Sequence, residues 1–404
     1  NWLLYNYKLL YEINKESKLS VSFFGLDAYR FALGFRDNRV DQVDPLNERD
    51  LIKGQFNNYG VETRFLTKYS FFNKRSVFLT GLKYYKSKNI SEQGPGSSNS
   101  GPDFSYYYNL YPNYVNQSYY EYPNLNYALF AENIFYLDST FSITPGLRYE
   151  NINTESNGYY KSISLNLAQQ PIFDSTYFSQ DSYQRKFILF GSGFSYKPKQ
   201  SFEIYANISQ NYRSVTFADI SIKSPSFVIN ADIKDEDGYT YDIGFRGSFN
   251  NYIRYDINYF GLSYNNRIGF IQKAIEISPG YSVVKTERSN VGDAFINGFE
   301  SILDFRLKDF FITNLHANSY VNFAYTKSEY LESKENGVVG NNVEFTPKYN
   351  LKYGVDFEYK RYMLGLQYSY ISNQFTDASN AEKCNISGII GLIPSYSVID
   401  LSSK

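Results

Sequence analysis

The sequence has little of what most catalytic and metal-binding sites require. Its 404 residues include one cysteine, Cys384, and one histidine, His316. A lone cysteine forms no intrachain disulfide and no cysteine-based zinc cage. A lone histidine removes most hydrolytic triads and every poly-histidine metal site. We therefore predict that the protein is not an enzyme and that it holds no metal or other cofactor of its own.

An excess of one charge and long apolar runs are missing as well. The net charge is −1, from 40 basic and 41 acidic side chains, so no basic surplus is available to neutralise a nucleic-acid backbone. No stretch approaches the ~18 uninterrupted apolar residues that a transmembrane helix needs. The sequence thus excludes a helical membrane protein and predicts no nucleic-acid partner.

Aromatic residues are abundant, with 43 Tyr and 34 Phe, and this density is not typical of a disordered chain. The clearest pattern lies between residues 349 and 359, where large apolar side chains alternate with polar ones. Tyr349, Tyr353 and Phe357 lie on one side of this pattern, and Lys352 and Asp356 on the other. A period of two predicts a strand with one apolar and one polar face.

The same alternation recurs around residues 202–208, 239–246 and 299–307, each time with full charges on one face. Soluble sandwiches mostly use strands of about 5–6 residues, whereas a membrane-spanning β-strand needs about 9–11 residues, apolar outward and polar inward, with aromatic residues at both interfaces. Hydrocarbon satisfies no backbone N–H or C=O group, so a sheet in lipid must close on itself. We predict an all-β fold, an antiparallel transmembrane β-barrel.

Short and long connections alternate along the chain, as in bacterial barrels with short periplasmic turns and long external loops. The predicted short turns are Asn14–Ser17, Phe72–Arg75, Leu137–Ser139, Lys197–Ser201, Asn250–Tyr252, Lys308–Thr313 and Tyr359–Tyr362. The predicted long connections are Leu26–Gln55, Ser87–Asn124, Asn153–Tyr183, Tyr212–Asp235, Gln272–Tyr281, Ser328–Glu344 and Thr376–Ile393. These connections separate about fifteen strands, and since a closed bacterial barrel has an even number, we expect the chain to be an internal piece of a longer protein.

The connection Ser87–Asn124 has an unusual composition. A Gly/Pro/Ser segment, Gly94–Pro102, is followed by a Tyr/Asn/Pro run from Tyr106 to Pro123. This composition favours a mobile, solvated loop, and an aromatic-lined ligand mouth is the alternative.

Several segments resemble the barrel of TonB-dependent outer-membrane receptors. They are, in chain order, Thr144–Glu150 (TPGLRYE), Phe202–Asn207 (FEIYAN), Tyr241–Arg246 (YDIGFR), Asn297–Glu300 (NGFE) and Phe345–Lys348 (FTPK). The resemblance implies a location in the bacterial outer membrane and contact with its lipid. It also implies capture of a ligand by external loops, followed by transport driven by the TonB–ExbB–ExbD complex.

Receptors of this family have about 22 strands around a globular plug and carry a TonB box near the N-terminus. The resemblance implies that residues 1–404 form one β-barrel domain that lacks the plug, the TonB box, about five early strands and the last two strands. The chain would then contain about 15 of the 22 strands.

Two segments near the end, Ser372–Ala381 and Gly391–Tyr396, resemble ferric dicitrate receptors. That resemblance implies ferric citrate as the cargo and suggests Gln272 as a ligand-binding residue, because those receptors carry a glutamine at the same offset from a segment like Asn265–Asn266. An arginine that they place before the strand beginning here at Leu125 has no counterpart in Tyr106–Asn124.

Ferric citrate complexes are anionic, and arginine binds carboxylates in a bidentate manner. Candidate ligand-binding arginines in predicted external loops are Arg213, Arg30, Arg36, Arg39 and Arg49. The loop that holds the last four also carries six acidic residues, and such a balanced charge run is usually a solvated face. The alternatives that remain open are uptake of another siderophore or of an oligosaccharide, and a non-transporting adhesin or structural barrel.

Overall fold

The structure, a computed structural model, describes residues 1–34, 46–99, 101–215, 227–230, 232–250, 252–278, 281–308, 315–384 and 390–404. Arg36 and Arg39 lie outside the described residues. Within this part of the chain, every regular element is a strand. No helix among these residues is long and apolar enough to cross a membrane.

Eighteen strands are formed by the described residues: β1 Trp2–Glu12, β2 Ser17–Gly34, β3 Asp50–Phe71, β4 Lys74–Pro95, β5 Ser118–Tyr136, β6 Phe141–Leu165, β7 Pro171–Lys199, β8 Phe202–Arg213, β9 Phe227–Ile229, β10 Glu236–Phe249, β11 Ile253–Ser278, β12 Tyr281–Lys308, β13 Leu315–Glu332, β14 Tyr349–Tyr359, β15 Tyr362–Ile371, β16 Gln374–Phe375, β17 Leu392–Ile393 and β18 Tyr396–Ser403. Consecutive long strands are hydrogen-bonded neighbours, which is the pattern of successive hairpins. Fifteen of these strands form the ladder in chain order, β9 is added beside β12, and β16 and β17 pair separately. The prediction of about fifteen antiparallel strands is confirmed.

The chain divides into two compact units. The first comprises Asn1–Asn133 and Gly146–Ile188, and its strands β2, β3 and β4 pair without any register shift. The second comprises Ile134–Pro145 and Leu189–Lys404 and holds β8 and β10–β15. Since a register slip of one residue would exchange the two faces of a strand, the continuous pairing fixes which side chains share a face.

Local turn chemistry ends the strands at the predicted short turns. The Asn14 side chain accepts hydrogen bonds from the backbone N–H groups of Glu16 and Ser17, each at 2.8 Å. Asp138 accepts one from Phe141 at 2.8 Å. Asn and Asp form such turns readily because their short side chains reach the backbone two or three residues on. Six of the seven predicted turns lie where one strand ends and the next begins, and Lys308–Thr313 falls mostly outside the described residues.

The predicted long connections differ from the structure in extent. Strand β2 runs to Gly34 and β3 begins at Asp50, so much of the predicted loop Leu26–Gln55 is strand. In the same way, β11 and β12 leave only residues 279 and 280 between them. Alternation with a period of two marks the apolar face that lipid requires, but polar hairpins continue by backbone hydrogen bonding without that pattern.

The two faces of strand β14 are populated as predicted. Tyr349, Tyr353 and Phe357 remain about 40% exposed (39%, 40% and 39%) rather than packed under a second sheet. On the opposite face of other strands, polar groups pair: Arg246 Nε donates to Glu203 at 2.8 Å, and the Tyr205 hydroxyl donates to Asp256 at 2.6 Å. Apolar side chains thus point to one side, and charged groups meet on the other.

Candidate functional site

The second unit places a buried acid, Glu236 at the start of strand β10, beside the end of strand β8. The register pairs Arg213 with Glu236 of β10, and Arg213 Nη1 lies 2.9 Å from Glu236 Oε1. The same carboxylate oxygen accepts the backbone N–H of Ile268 at 2.5 Å. Because Glu236 is only 4% exposed, these two donors compensate a charge that burial would otherwise disfavour.

A β-bulge in strand β11 brings a second arginine to the same place. The register between β11 and β12 shifts on both sides of Arg267, and the preceding Asn266 adopts a left-handed backbone with φ 53°. Bulges re-aim side chains in this way. Arg267 is not among the residues predicted from the sequence. The pair Asn265–Asn266 was its only local signal, since Asn tolerates the left-handed region.

Arg267 belongs to a buried polar cluster with Glu344 and Tyr330. Arg267 Nη2 lies 3.7 Å from Glu344 Oε1, and the Tyr330 hydroxyl donates to Glu344 Oε2 at 2.6 Å. Burial alone would lower the pKa of Arg267, but the Glu344 carboxylate raises it above its ordinary value. Burial, followed by the charge of Glu344, raises the pKa of the Tyr330 hydroxyl. The guanidinium therefore stays charged and the phenol stays neutral.

Glycine at position 269 makes room for this cluster. A Cβ atom on Gly269 would lie 2.3 Å from Glu344 Oε1, which is far inside van der Waals contact. Glu344 approaches strand β11 closely only because residue 269 has no side chain. Apolar residues of the same unit pack beside it in a small core of Ile271, Val291, Ala294, Tyr330, Val338, Val343 and Ala378.

A cavity of about 430 Å³ opens between these groups. Its lining includes both arginines, Arg213 and Arg267, together with Tyr212, Glu236 and Asp237. The two guanidiniums are held by their carboxylate partners and present N–H donors in fixed directions. An anion can accept these N–H groups when it displaces the carboxylates of Glu236 and Glu344. This cavity is the candidate ligand-binding site of the second unit.

A neighbouring cavity of about 600 Å³ is lined by residues of both charges. Its lining includes Asp232, Asp293, Glu332 and Glu335 as well as Lys234 and Lys334. Strand β9 bounds this region by pairing in parallel with Thr286–Arg288 of β12. Among the described residues, no three potential metal ligands come together in a metal-binding arrangement.

Gln272 does not line either cavity. It is exposed on strand β11 opposite Thr286, whereas its neighbours Ile271 and Lys273 point the other way. Ile271 is 4% exposed in the apolar core, and Lys273 Nζ lies 2.9 Å from Glu335 Oε1 and 3.6 Å from Glu287 Oε1.

The remaining candidate arginines belong to the first unit. Arg30 is exposed on strand β2 opposite Gly54. Arg49 is buried just before β3, with its backbone bonded to Ser97 and Gly96. Of these two described arginines, Arg30 has the exposed side chain and Arg49 the buried one.

The Tyr/Asn/Pro run of the first unit packs against strands β3 and β4. The Tyr114 hydroxyl donates to the buried Asp50 at 2.9 Å, and Gln93 Nε2 donates to the same carboxylate at 3.0 Å. Lys53 Nζ lies 4.3 Å from the Tyr106 ring centroid and 5.4 Å from that of Phe31. The segment is thus anchored by its rings and hydroxyls, unlike the solvated loop that its composition favours.

Comparison with known proteins assigns the family. The family model described as TonB dependent receptor-like, beta-barrel matches residues 3–404. The chain belongs to this family. Members are outer-membrane receptors and not enzymes, which confirms the predicted fold class, location and non-enzymatic character.

Solved structures share this fold. The unliganded ferric citrate transporter FecA is 17% identical with a TM-score of 0.72, over 100% of this chain and 53% of that one. The ferric yersiniabactin uptake receptor FyuA from Yersinia pestis is 14% identical with a TM-score of 0.68, over 98% of this chain and 52% of that one. The siderophore receptor PiuA from Acinetobacter baumannii is 15% identical with a TM-score of 0.68, over 98% and 57%. The chain spans about half the length of the structures it matches.

Proposed function

We propose that this chain is the barrel part of a TonB-dependent receptor that imports an iron chelate, and that the chelate is ferric citrate. Family membership supports import through the outer membrane. The solved structures of similar fold include transporters named for ferric citrate and for ferric siderophores. The observation that carries the proposal is the cavity that holds Arg213 and Arg267 together.

The chemistry of the cavity suits an anionic chelate. Citrate presents carboxylates, and the planar guanidinium fork matches a carboxylate with two parallel hydrogen bonds. Arg213 already pairs with Glu236, and Arg267 with Glu344, so binding exchanges internal carboxylates for those of the ligand. Because of this exchange, the affinity for the ligand depends on the conformation of the loops. A ligand can shift the loops from one conformation to another only if it binds the two conformations with different affinity.

The other predicted ligand contacts are proposed for each unit by itself. We propose that Gln272 contributes an amide donor to ligand capture in the second unit, and that Arg30, Arg36, Arg39 and Arg49 contribute guanidiniums to ligand capture in the first unit. Energy for import would come from the TonB–ExbB–ExbD complex through the N-terminal part of the full receptor, with a plug inside the barrel. We also propose that residues 1–404 form one barrel domain.

The direct test is ferric citrate binding by the full-length receptor, measured by isothermal titration calorimetry. Replacing Arg213→Gln removes one bidentate contact and should weaken binding about tenfold or more. Gln272→Ala should weaken it by a smaller factor, because a neutral hydrogen bond contributes about 0.5–1.5 kcal/mol. Matched controls are Arg254→Gln, near the short-turn end of β11, and Gln170→Ala, in the connection just before β7.

The outcomes separate the alternatives. Unchanged affinity in both variants would remove Arg213 and Gln272 from the site. Tight binding of a ferric catecholate in preference to ferric citrate would assign another siderophore as cargo. Selective binding of an oligosaccharide would assign sugar uptake, and a full-length protein that binds none of these ligands would favour the adhesin.

A further inference from the structure

A second cleft, outside the candidate site, lies in the first unit between strands β5, β6 and β7. It has a volume of about 460 Å³ and is lined chiefly by Tyr119, Glu121, Asn157, Tyr159, Phe178 and Gln180. Three aromatic rings and three hydrogen-bonding side chains therefore share one small surface. None of these residues is used by the proposed transport function.

Three neighbouring rings form an aromatic platform, which bends between Tyr159 and Phe178 because those two ring planes are inclined by 54°. The Tyr119 and Tyr159 rings are stacked, with centroids 6.4 Å apart and planes inclined by 24°. The Phe178 ring follows at 5.8 Å from that of Tyr159. Phe178 is 80% exposed, so a large apolar face is open to a ligand.

A glycine lets strands β5 and β6 lie close together beneath these rings. A Cβ atom on Gly158 would lie 2.1 Å from the Tyr119 carbonyl oxygen. Residue 158 therefore has to be glycine for β6 to approach β5 this closely, and the close approach brings the Tyr119 and Tyr159 rings together.

Ion pairing identifies the face of the sheet on which the cleft opens. Glu121 Oε2 lies 2.9 Å from Lys88 Nζ, and Lys88 shares one face of β4 with Leu82 and Tyr84, because the register of β4 is continuous. The Tyr84 ring contacts Tyr127, at 5.6 Å between centroids.

Tyr127 and Leu129 are 43% and 51% exposed, whereas Ala128 between them is fully buried. The cleft thus opens on the same exposed apolar face that meets lipid in this family, and not on the face where charges pair.

The cleft lies just beyond the part of the strands that crosses the hydrocarbon. Strand β4 begins at Lys74 after a short turn, and about 9–11 residues cross the membrane, which ends the crossing near Tyr84. Lys88 is then roughly 13 Å farther along the strand. Lys86 and Lys88 are both exposed at this level, where cations meet anionic head groups.

We propose that this cleft binds the saccharide head group of an anionic glycolipid of the outer leaflet. The C–H faces of a sugar ring pack on aromatic faces, whose quadrupole is negative. Its hydroxyls pair with the amides of Asn157 and Gln180 and with the Glu121 carboxylate, and Lys86 and Lys88 face the anionic groups. The ligand is a membrane lipid because the cleft continues the lipid-facing surface.

The test measures binding of the purified full-length receptor, in a nonionic detergent, to three probes. These are rough-type lipopolysaccharide with its core sugars, lipid A without the core sugars, and the free core oligosaccharide. The variant Tyr159→Ala/Phe178→Ala removes two rings from the platform and should weaken binding of the intact glycolipid about tenfold or more. The conservative variant Phe178→Tyr should retain binding, and so should the control Tyr252→Ala in a short turn.

Three results would overturn the proposal. They are wild-type affinity of the double variant for the intact glycolipid, equally tight binding of lipid A, and equally tight binding of the free oligosaccharide, which would indicate a site for soluble sugars. Ferric citrate affinity, measured in parallel, should be the same in all four proteins, since this cleft and the Arg213 cavity share no residue.

Discussion

In the first unit, tyrosines anchor the segment that follows β4. In the second unit, buried carboxylates bind arginines at the ends of strands next to the loops. In the first unit, Tyr106 covers Lys53 and Tyr114 bonds Asp50. In the second unit, Glu236 and Glu344 hold the arginines. Rings contribute area and tolerate small shifts, but a buried charge needs its partner in one geometry. The two ends should therefore respond differently to mutation, pH and salt.

The largest effect is expected where a buried charge loses its partner. Glu344→Ala leaves Arg267 in a site of low exposure without its nearest carboxylate, which should destabilise the second unit locally by about 3–5 kcal/mol. Hydrogen exchange of the backbone amides of 268–271 and 329–332 measures this loss. The double variant Glu344→Ala/Arg267→Met should recover much of the protection, and a double variant as labile as the single one would contradict the role of the pair.

A smaller loss is expected in the first unit from removing one hydroxyl. Tyr114→Phe keeps the ring but loses the hydrogen bond to the buried Asp50, and a bond to a charged group contributes about 1.5–3 kcal/mol. Hydrogen exchange of 93–97 and 110–117 should accelerate accordingly, with Tyr111→Phe in the same segment as the matched control. Equal exchange in the two variants would show that packing alone fixes the segment.

Alkaline pH should loosen the first unit through its tyrosines. Burial, and next the charge of Glu92, raises the pKa of Tyr106 and of Tyr108 above the ordinary 10.0. The folded segment holds protons that the released segment gives up, so its stability is intact below pH 10.0 and falls as the pH rises further. A spin label at Ser105→Cys, with Cys384→Ser, should become mobile above that pH.

The tyrosine double variant isolates this effect. In Tyr106→Phe/Tyr108→Phe the rings remain but the hydroxyls no longer titrate, so the label should stay immobile over the same range. A transition that persists in the double variant would assign the pH response to other groups.

The smallest effect concerns an exposed ion pair of the second unit. Lys273 bridges Glu335 and Glu287, with its side chain 39% exposed, and such pairs contribute about 0.2–1 kcal/mol and weaken with salt. Lys273→Met should therefore lower the protection of the β11–β12 hairpin slightly at low salt and not at about 1 M salt. A large, salt-independent loss would mean that the lysine acts through packing.

The strands and their two faces followed from the sequence because lipid imposes a strict period of two. Tyr353 and Lys352 alternate for that reason, and the short turns at Asn14 and Asp138 carry residues with recognisable turn chemistry. The lengths of the strands above the membrane could not be predicted from the sequence in the same way, since β11 continues there through a bulge that interrupts the regular alternation.

The candidate site was less accessible to sequence reasoning. Arg213 was predicted because it opens an external loop, and its ligand-binding role stays a prediction. Its pairing with Glu236 depends on the register between β8 and β10, which the sequence does not show. Arg267 was missed because a bulge turns it toward Glu344, which lies 77 positions farther along the chain. Long-range pairing of this kind leaves no local pattern. Gln272 was chosen by resemblance, and its role stays a prediction.

The most direct test of the account compares neighbouring residues of strand β14 as single labelled cysteines in the Cys384→Ser background. A fluorophore at Tyr353→Cys should be quenched by a lipid-phase quencher and protected from an aqueous one, while Lys352→Cys should react readily with a charged aqueous thiol reagent. The reverse pattern, or equal access of the aqueous reagent to both positions, would contradict a strand with one face toward lipid and the other toward an enclosed polar interior.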